Sequence, residues 1–243
     1  MQLEFTNSRV TTSPYSTIAF NTLPEFQESK ARFDAKHYVL DELGTIIRQH
    51  GLQRYVGVAL IHKHFDLQDG ERVVERVDAN GSILQPVLET DESVLTPYLW
   101  HLSRLDDVRF QWTPMEFVLS DNVPAQVNDL AREFPSRKSF ITELAEVLIR
   151  AEAQDTFGIS FLHRQRIGFD HEEQILLESP GPTRRTLIVS PVARERTTDH
   201  DYTQTYWHFD IDSSSFAAGC DQHGCAGYCS LHSPTLPKRG KLR

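Results

Sequence analysis

Hydrophobic residues recur at helical spacing in two stretches of the chain, about a hundred residues apart. In both stretches the apolar positions follow i, i+1, i+4, i+7 and i+8, which fall on one face of an α-helix. The positions are Val39, Leu40, Leu43, Ile46 and Ile47 in the first stretch, and Phe140, Ile141, Leu144, Val147 and Leu148 in the second. The pattern predicts two amphipathic helices, each with one buried face.

Each predicted helix is followed by an apolar run that is typical of a buried strand. The runs cover residues 55–65 and 157–165, and their nearly continuous apolar character predicts strands that are covered on both faces. Residues 95–105 carry a further apolar pattern in the first half of the chain. That pattern predicts a short helix, which has no counterpart in the second half.

A β-hairpin is predicted after each central strand. In the first half, Asn80-Gly81 supplies the positive φ that a tight turn requires. In the second half, Pro180-Gly181 is the corresponding turn signal. The flanking apolar segments are residues 73–77 with 83–87, and residues 175–177 with 186–189. Both halves therefore have the same predicted order of helix, central strand and hairpin.

This repeated order indicates an internal duplication. Residues 42–64 align with residues 143–165 at a constant offset of 101 without a gap. The identical pairs are Glu42/Glu143, Leu43/Leu144, Gln53/Gln154, Gly57/Gly158 and His62/His163. We therefore expect an α+β fold of two repeated units, each a helix with an antiparallel sheet, related by a pseudo-two-fold axis.

The alignment also sets the expected domain boundaries. The expected segments are an N-terminal arm over residues 1–22, a first unit over 23–122, a second unit over 123–212, and a Cys/His-rich tail over 213–243. No linker rich in Pro, Gly or Ser separates the units, so we expect them to pack on each other. A shorter offset of 92 aligns residues 113–117 with residues 205–209 and makes Glu116 and His208 counterparts.

The charge of the chain limits the partners that we expect. The formal net charge is −9 at pH 7, whereas broad nucleic-acid binding requires a basic face. No run approaches the roughly 20 apolar residues that cross a bilayer, and residues 1–22 lack a signal-peptide pattern. The three cysteines, an odd number, fit a reducing compartment. We expect a cytoplasmic protein that acts on a small molecule and binds neither nucleic acid nor a membrane. The sequence leaves open whether the protein forms a homo-oligomer.

Histidines at the ends of the predicted central strands are candidate metal ligands. His62 and His64 are two residues apart, so on a strand their side chains would share a face and could bind one transition metal. His163 occupies the position of His62 in the second unit. We expect the pseudo-two-fold axis to bring the three rings together, with Glu116 or His208 as a fourth ligand or a general base. The alternative is that these histidines only satisfy hydrogen bonds at strand ends.

The C-terminal segment concentrates residue types that bind zinc. All three cysteines lie within ten residues and are interleaved with two histidines. The candidate ligands are Cys220, His223, Cys225, Cys229 and His232. Four of the five would complete a tetrahedral zinc shell. The expected cofactor is a transition metal ion, zinc first and iron or copper as alternatives, while unpaired thiols are the metal-free alternative.

No sequence motif names a reaction, because the chain lacks the nucleophile-elbow, Walker, dinucleotide-binding and H-E-x-x-H patterns. The first hypothesis is a metal-dependent enzyme, hydrolytic or oxidative, that acts on a small molecule in a pocket between the units. The second is a non-catalytic binding or scaffold protein with a structural zinc in the tail. The third is a metal-free enzyme in which the histidines act as acid and base.

Overall fold

The strands of the protein form one curled sheet that is accompanied by a few helices. The structure is a computed structural model, and it describes residues 9–88, 91–170, 173–183, 185–193, 203–209 and 230–232. The helices are α1 (Thr17–Asn21), α2 (Phe26–Lys36), α3 (Val39–Gln49), α4 (Ala125–Glu133) and α5 (Lys138–Arg150). The strands are β1 (Arg9–Thr12), β2 (Val56–Leu60), β3 (Glu71–Val77), β4 (Ser82–Leu88), β5 (Leu95–Arg104), β6 (Arg109–Leu119), β7 (Phe157–Phe161), β8 (Gln174–Pro180), β9 (Leu187–Ala193), β10 (Thr203–Gln204), β11 (Tyr206–His208) and β12 (Ser230–His232).

The order of the strands closes the sheet on itself. Neighbouring strands follow the order β10-β12-β8-β9-β4-β3-β6-β5-β7-β2-β11, and β1 adds to β6 in parallel. β10 and β11 stand at the two ends of this path, yet only Thr205 separates them along the chain. One short segment, residues 203–208, therefore pairs with β12 on one side and with β2 on the other, and the sheet becomes barrel-like. We call residues 203–208 the closing segment.

The two amphipathic helices predicted from the sequence are confirmed as α3 and α5. All ten positions of the apolar pattern are buried. α3 packs against α5 and against β2, so the apolar faces of both helices meet each other and the sheet. Burial of each such side chain contributes roughly 1.5–3 kcal/mol to the free energy of unfolding. Neither these nor the other described helices are long and apolar enough to cross a membrane.

The central strands and hairpins also appear where the sequence indicates them. Every residue of β2 and β7 is buried, and the two strands pair with each other antiparallel, with Val58 opposite Ile159. The hairpins are β3–β4 and β8–β9. β4 and β9 pair with each other, again antiparallel. The predicted mixture of helices with a largely antiparallel sheet is therefore confirmed.

The helix expected over residues 95–105 is wrong, because this segment forms β5. β5 lies between β6 and β7, and most of its residues are buried. Because β5 is covered on both faces, it carries apolar side chains at nearly every position. Some of these positions also match the spacing of a helix by coincidence. Pro97 lacks the amide hydrogen that a helix interior requires, whereas Tyr98 and Trp100 are residue types that favour strands.

Two segments that were expected outside the repeated units add strands to the sheet. β1 belongs to the expected N-terminal arm and pairs with β6. β12 belongs to the expected tail and lies between β10 and β8. The sheet therefore uses parts of the chain on both sides of the two units.

Candidate active site

A group of ionisable side chains is buried between the strands of the curled sheet. They come from β3, β5, β6 and β8 and from the turn that follows β7, and each is at most 5% exposed. Burial of ionisable groups is costly unless they are paired and hydrogen-bonded. We call the group the ionisable cluster, and its members are Glu75, Tyr98, Glu116, His163, Arg164 and Glu178.

Glu75 accepts most of the hydrogen bonds in the cluster. Arg164 Nε donates to Oε1 at 2.6 Å, and His163 Nε2 lies 2.7 Å from Oε2. The Ser82 hydroxyl of β4 also donates to Oε1. Burial alone would raise the pKa of Glu75, but the charges and hydrogen bonds of Arg164 and His163 outweigh it and hold the pKa well below its ordinary value. Glu75 is therefore a carboxylate at neutral pH.

Arg164 joins the two hairpins. Its Nη1 donates to Glu178 Oε1 at 3.2 Å, while its Nε and Nη2 donate to Glu75. Thr205 Oγ1 lies 3.3 Å from Glu178 Oε2 and donates to it. The guanidinium carbon of Arg164 lies 5.2 Å from the centroid of the Tyr206 ring. The closing segment therefore contacts the same cluster that links β3 to β8.

Each ring nitrogen of His163 has a hydrogen-bond partner. Nδ1 lies 2.9 Å from the carbonyl oxygen of Phe161, which can only accept, so Nδ1 carries a proton. Nε2 lies 2.7 Å from Oε2 of Glu75. The ring packs on Tyr98 with 3.8 Å between the ring centroids.

Glu116 is in a different environment from Glu75. Burial is the main cause that raises its pKa from the ordinary 4.5 to about 8; the hydrogen bond donated by Tyr98 lowers it, and the charge of Glu75 raises it further. Burial also raises the pKa of Tyr98 well above its ordinary value, so Tyr98 stays a neutral donor. At neutral pH the Glu116 carboxyl is mostly protonated. Carboxyl groups with opposite pKa shifts in one cluster are typical of acid–base sites.

The structure does not bring His62 and His64 together with His163. β2 and β7 are antiparallel, so residues that follow β2 and residues that follow β7 lie at opposite ends of the strand pair. His62 and His64 also come after the last residue of β2, Leu60, which corrects the expected shared strand face. Their rings nevertheless lie together, with 4.6 Å between the centroids.

Glu116 and His208, which the short alignment made counterparts, lie in strands with different pairing partners. Glu116 lies in β6, which pairs with β3 and β5. His208 lies in β11, opposite Gly57 of β2. β5 pairs with β7 as β11 pairs with β2, so the strand that matches β11 in position is β5 and not β6.

Most of the predicted tail site lies outside the described residues, which applies to Cys220, His223, Cys225 and Cys229. The backbone of His232 lies in β12, opposite Thr203, and its side chain is outside the description. Within the part of the chain that the structure describes, no three His, Cys, Asp or Glu side chains are placed to hold one metal ion. The metal ligands named from the sequence stay predictions.

Sequence reasoning missed four members of the cluster, which are Glu75, Tyr98, Arg164 and Glu178. A local signal was present for Glu178, which is the one charged residue of β8, whereas Glu75 lies in β3 together with Glu71, Arg72 and Arg76. Arg164 aligns with Lys63, which donates to Asp66 at 2.7 Å instead. Nothing local in the sequence separates these two basic residues, since the difference depends on carboxylates that lie far away along the chain.

Comparison with known proteins does not assign the chain to a group. No family model, no curated protein and no solved structure matches it. The function therefore has to rest on the ionisable cluster and on the chemistry that its residues support.

Proposed function

We propose that this protein is an enzyme that acts on a small molecule at the ionisable cluster, with Glu116 as the group that gives and takes a proton. The observation that carries the proposal is the buried Glu116 carboxyl, whose pKa is raised to about 8. A carboxyl with a pKa near the ambient pH is populated in both protonation states and can act as general acid or general base.

The neighbouring side chains suit this role. Tyr98 donates to Glu116 and packs on His163, so it orients the carboxyl and links it to the rest of the cluster. Arg164 supplies positive charge that is fixed in place by Glu75. Fixed charge of this kind stabilises negative charge that develops on a substrate. A small molecule with a carbonyl or acid group fits these requirements.

The cluster also lies where two halves of the chain would meet, and we propose that these halves arose by duplication. The support is a set of paired contacts. A residue of the first half contacts the second half, and the aligned residue of the second half makes the same kind of contact with the first. Gly57 of β2 lies against the carbonyl oxygen of Trp207, and Gly158 of β7 lies against the carbonyl oxygen of Trp100. Each central strand therefore uses a glycine to approach a strand of the other half.

Two aromatic pairs follow the same rule. Phe33 and Phe134 are separated by the alignment offset of 101. Phe33 stacks on Trp207 with 5.0 Å between the ring centroids, and Phe134 packs on Trp100 at 4.9 Å. Each phenylalanine thus contacts the tryptophan whose strand pairs with the central strand of its own half.

One arginine contacts a glutamate from each of the two hairpins. Glu75 lies opposite Leu84 in the first hairpin, and Glu178 lies opposite Val189 in the second. Arg164 binds both carboxyl groups, so it joins the hairpins of the two proposed halves.

A metal-dependent enzyme, hydrolytic or oxidative, is the second candidate. The observation that favours it is the contact between the rings of His62 and His64. The amide of Leu60 donates to the carbonyl of Thr205 at 2.8 Å, and the adjacent β10 pairs with β12, so the Cys/His-rich tail enters the sheet near this end of β2. A metal at the histidine pair would take its remaining ligands from that tail, and zinc is the ion that such ligands prefer.

The test of acid–base catalysis compares the wild type with Glu116→Gln, which replaces the protonated carboxyl by a neutral group of the same shape. Turnover of small hydroxy acids, keto acids, esters and amides is measured between pH 5 and pH 9. We expect the enzyme to consume one of these classes of compound. The plot of kcat/KM against pH should bend near pH 8, where Glu116 titrates. The Gln variant should be slower by about 100-fold or more.

Two further variants sharpen this test. Glu146→Gln removes an exposed carboxyl of α5 and should leave turnover unchanged. Tyr98→Phe removes the hydrogen bond that lowers the pKa of Glu116, so the bend should move to higher pH while turnover persists. Equal turnover by the wild type and Glu116→Gln, or titration of Glu116 at an ordinary carboxyl pKa in ¹³C NMR, would contradict the proposal.

A further inference from the structure

A groove on the surface lies beside strands that carry the ionisable cluster. Its volume is about 440 Å³, which is within the range of small-molecule sites, roughly 300–1,000 Å³. Pro97 of β5 and Phe117 of β6 line it, and these residues are the sequence neighbours of Tyr98 and Glu116 in the cluster. The groove is a separate feature, since none of the cluster residues lines it.

The walls of the groove are rigid and largely apolar. The ring-bearing residues that line it are Pro14, Tyr15, Pro97, Trp100, Pro114, Phe117 and Pro135. Proline and aromatic side chains have few rotatable bonds, so little conformational entropy is lost when a ligand binds to them. A flat apolar group is the shape of ligand that such walls accommodate best.

Trp100, which lines the groove, carries a buried indole nitrogen. Trp100 is 3% exposed, and its Nε1–H has no acceptor among the residues that the structure describes. A buried donor without an acceptor costs free energy, and such groups require a specific explanation. A ligand that brings an acceptor oxygen into the groove would supply the missing hydrogen bond.

Two arginines make the groove cationic. Arg72 lies over the rings of Tyr15 and Phe117, at 5.4 and 5.6 Å from their centroids, and donates to Glu92 at 2.5 Å through Nη2. Arg132 donates through Nη2 to the carbonyl oxygens of Ser93 and Leu95, at 2.8 and 2.9 Å.

The charges of the groove do not cancel. The charged residues among the described lining residues are Arg72, Arg132 and Glu92, and Glu92 pairs with Arg72. Burial raises the pKa of Tyr15 to about 12, so its phenol adds no negative charge at neutral pH. The groove is therefore a positive site on a chain whose formal net charge is −9.

We propose that this groove binds a small aromatic carboxylate. The ring of the ligand would lie against the proline and aromatic walls, and its carboxylate would accept hydrogen bonds from the Trp100 indole and the Arg72 guanidinium. A carboxylate offers two oxygens and can accept several hydrogen bonds at once. This inference does not depend on catalysis at the ionisable cluster.

The test uses the full-length protein labelled with ¹⁵N and the probes 3-phenylpropionate, 1-naphthoate and 3-phenylpropionamide. We expect the two carboxylates to bind saturably and to shift the indole N–H resonance of Trp100, which Trp100→Phe identifies by its loss. The neutral amide should bind at least ten times more weakly. Arg72→Gln should weaken carboxylate binding at least tenfold, while Arg104→Gln, at the far end of β5, should leave it unchanged.

The binding measurements distinguish a specific carboxylate site from its absence. Saturable shifts that need both the carboxylate and Arg72 support the site. Failure of both carboxylates to shift the Trp100 indole, or equal binding by the wild type and Arg72→Gln, would overturn it. If Trp100→Phe does not fold, the indole resonance is assigned instead by selective labelling with Trp207→Phe and Trp112→Phe, and Arg72→Gln still decides the result.

Discussion

Glu75 and Glu116 are buried carboxyl groups of the same cluster, but they have opposite protonation states at neutral pH. Arg164 and His163 stabilise the negative charge of Glu75. Glu116 receives a hydrogen bond from the neutral Tyr98 and is surrounded by other acidic groups, so burial decides its pKa. The sequence shows each of them only as a glutamate within a strand segment. Their difference comes from partners that the fold brings near, and only Glu116 was named from the sequence.

The opposite shifts predict opposite effects of pH on stability. The pKa of Glu116 is raised above 4.5 in the folded protein, so between about pH 4.5 and pH 8 the folded state holds a proton that the unfolded state releases. The free energy of unfolding therefore falls with rising pH in this window, by at most about 1.4 kcal/mol per pH unit. Glu116→Gln should lose this contribution, so chemical denaturation of the variant should show a smaller decrease in stability from pH 5 to pH 8.

Glu75→Gln is the matched comparison. The lowered pKa of Glu75 means that its stabilising contribution is present above the ordinary carboxyl pKa and is lost as the pH falls below it. The variant leaves Arg164 and His163 without their carboxylate and should be destabilised at pH 7 by about 3–5 kcal/mol. The difference from the wild type should shrink on acidification. If Glu116→Gln kept the full pH dependence of the wild type, the raised pKa of Glu116 would be wrong.

At the scale of elements, local patterns were predictable and pairing partners were not. α3, α5 and the two hairpins follow from residue spacing and turn signals within short windows. The pairing of β2 with β7 joins Val58 to Ile159, and no window of sequence contains both. The same limitation made the helix over residues 95–105 wrong, because it depends on which strands lie alongside.

The close approach of the central strands to their neighbours gives a prediction at this scale. A Cβ atom at Gly57 would collide with the backbone carbonyl of Trp207, and one at Gly158 would lie 2.7 Å from the carbonyl oxygen of Trp100. Backbone atoms cannot move away as a side chain can. Gly57→Ala and Gly158→Ala should each lower the free energy of unfolding by about 1–3 kcal/mol, measured by chemical denaturation.

Gly168→Ala serves as the control for these variants. The nearest atom to an added Cβ at Gly168 is the Ala79 carbonyl oxygen at 3.6 Å, which is an ordinary contact. The stability of this variant should stay within about 0.5 kcal/mol of the wild type. A stable Gly57→Ala protein would show that β11 does not lie against β2 as described.

At the scale of the whole molecule, the Cys/His-rich tail is not separate from the sheet. The tail contributes β12, which lies within the sheet between β10 and β8. Truncation after residue 212 would therefore remove a strand as well as the cysteines, and a loss of metal could then reflect a loss of folding. Substitution of the cysteines leaves β12 in place and is the cleaner way to locate a metal.

We expect the purified protein to contain a transition metal, with zinc the first candidate. Because the described residues offer no group of three ligands, a site at His62 and His64 would depend on the tail. Elemental analysis should then show metal loss both in His62→Ala/His64→Ala and in Cys220→Ser/Cys225→Ser/Cys229→Ser. His50→Ala, at the C-terminal end of α3, is the control and should retain the metal.

The pattern of loss distinguishes the alternatives. Metal lost only in the cysteine variant would contradict the shared site and favour a structural zinc in the tail, as expected for a binding or scaffold protein. Metal retained in both variants would contradict both sites. Circular dichroism of each variant separates loss of metal from loss of structure.

The closing segment has a consequence for how the protein is made. β2 is translated early, but its partner β11 begins only at Tyr206, which the ribosome adds about 7 to 30 s after Leu60 at typical elongation rates. β8 likewise waits for β12. A nascent chain therefore presents strand edges that can join those of other nascent chains, as unpaired edges do. Yield in the cell should depend on chaperones that shield these edges until the last strands emerge.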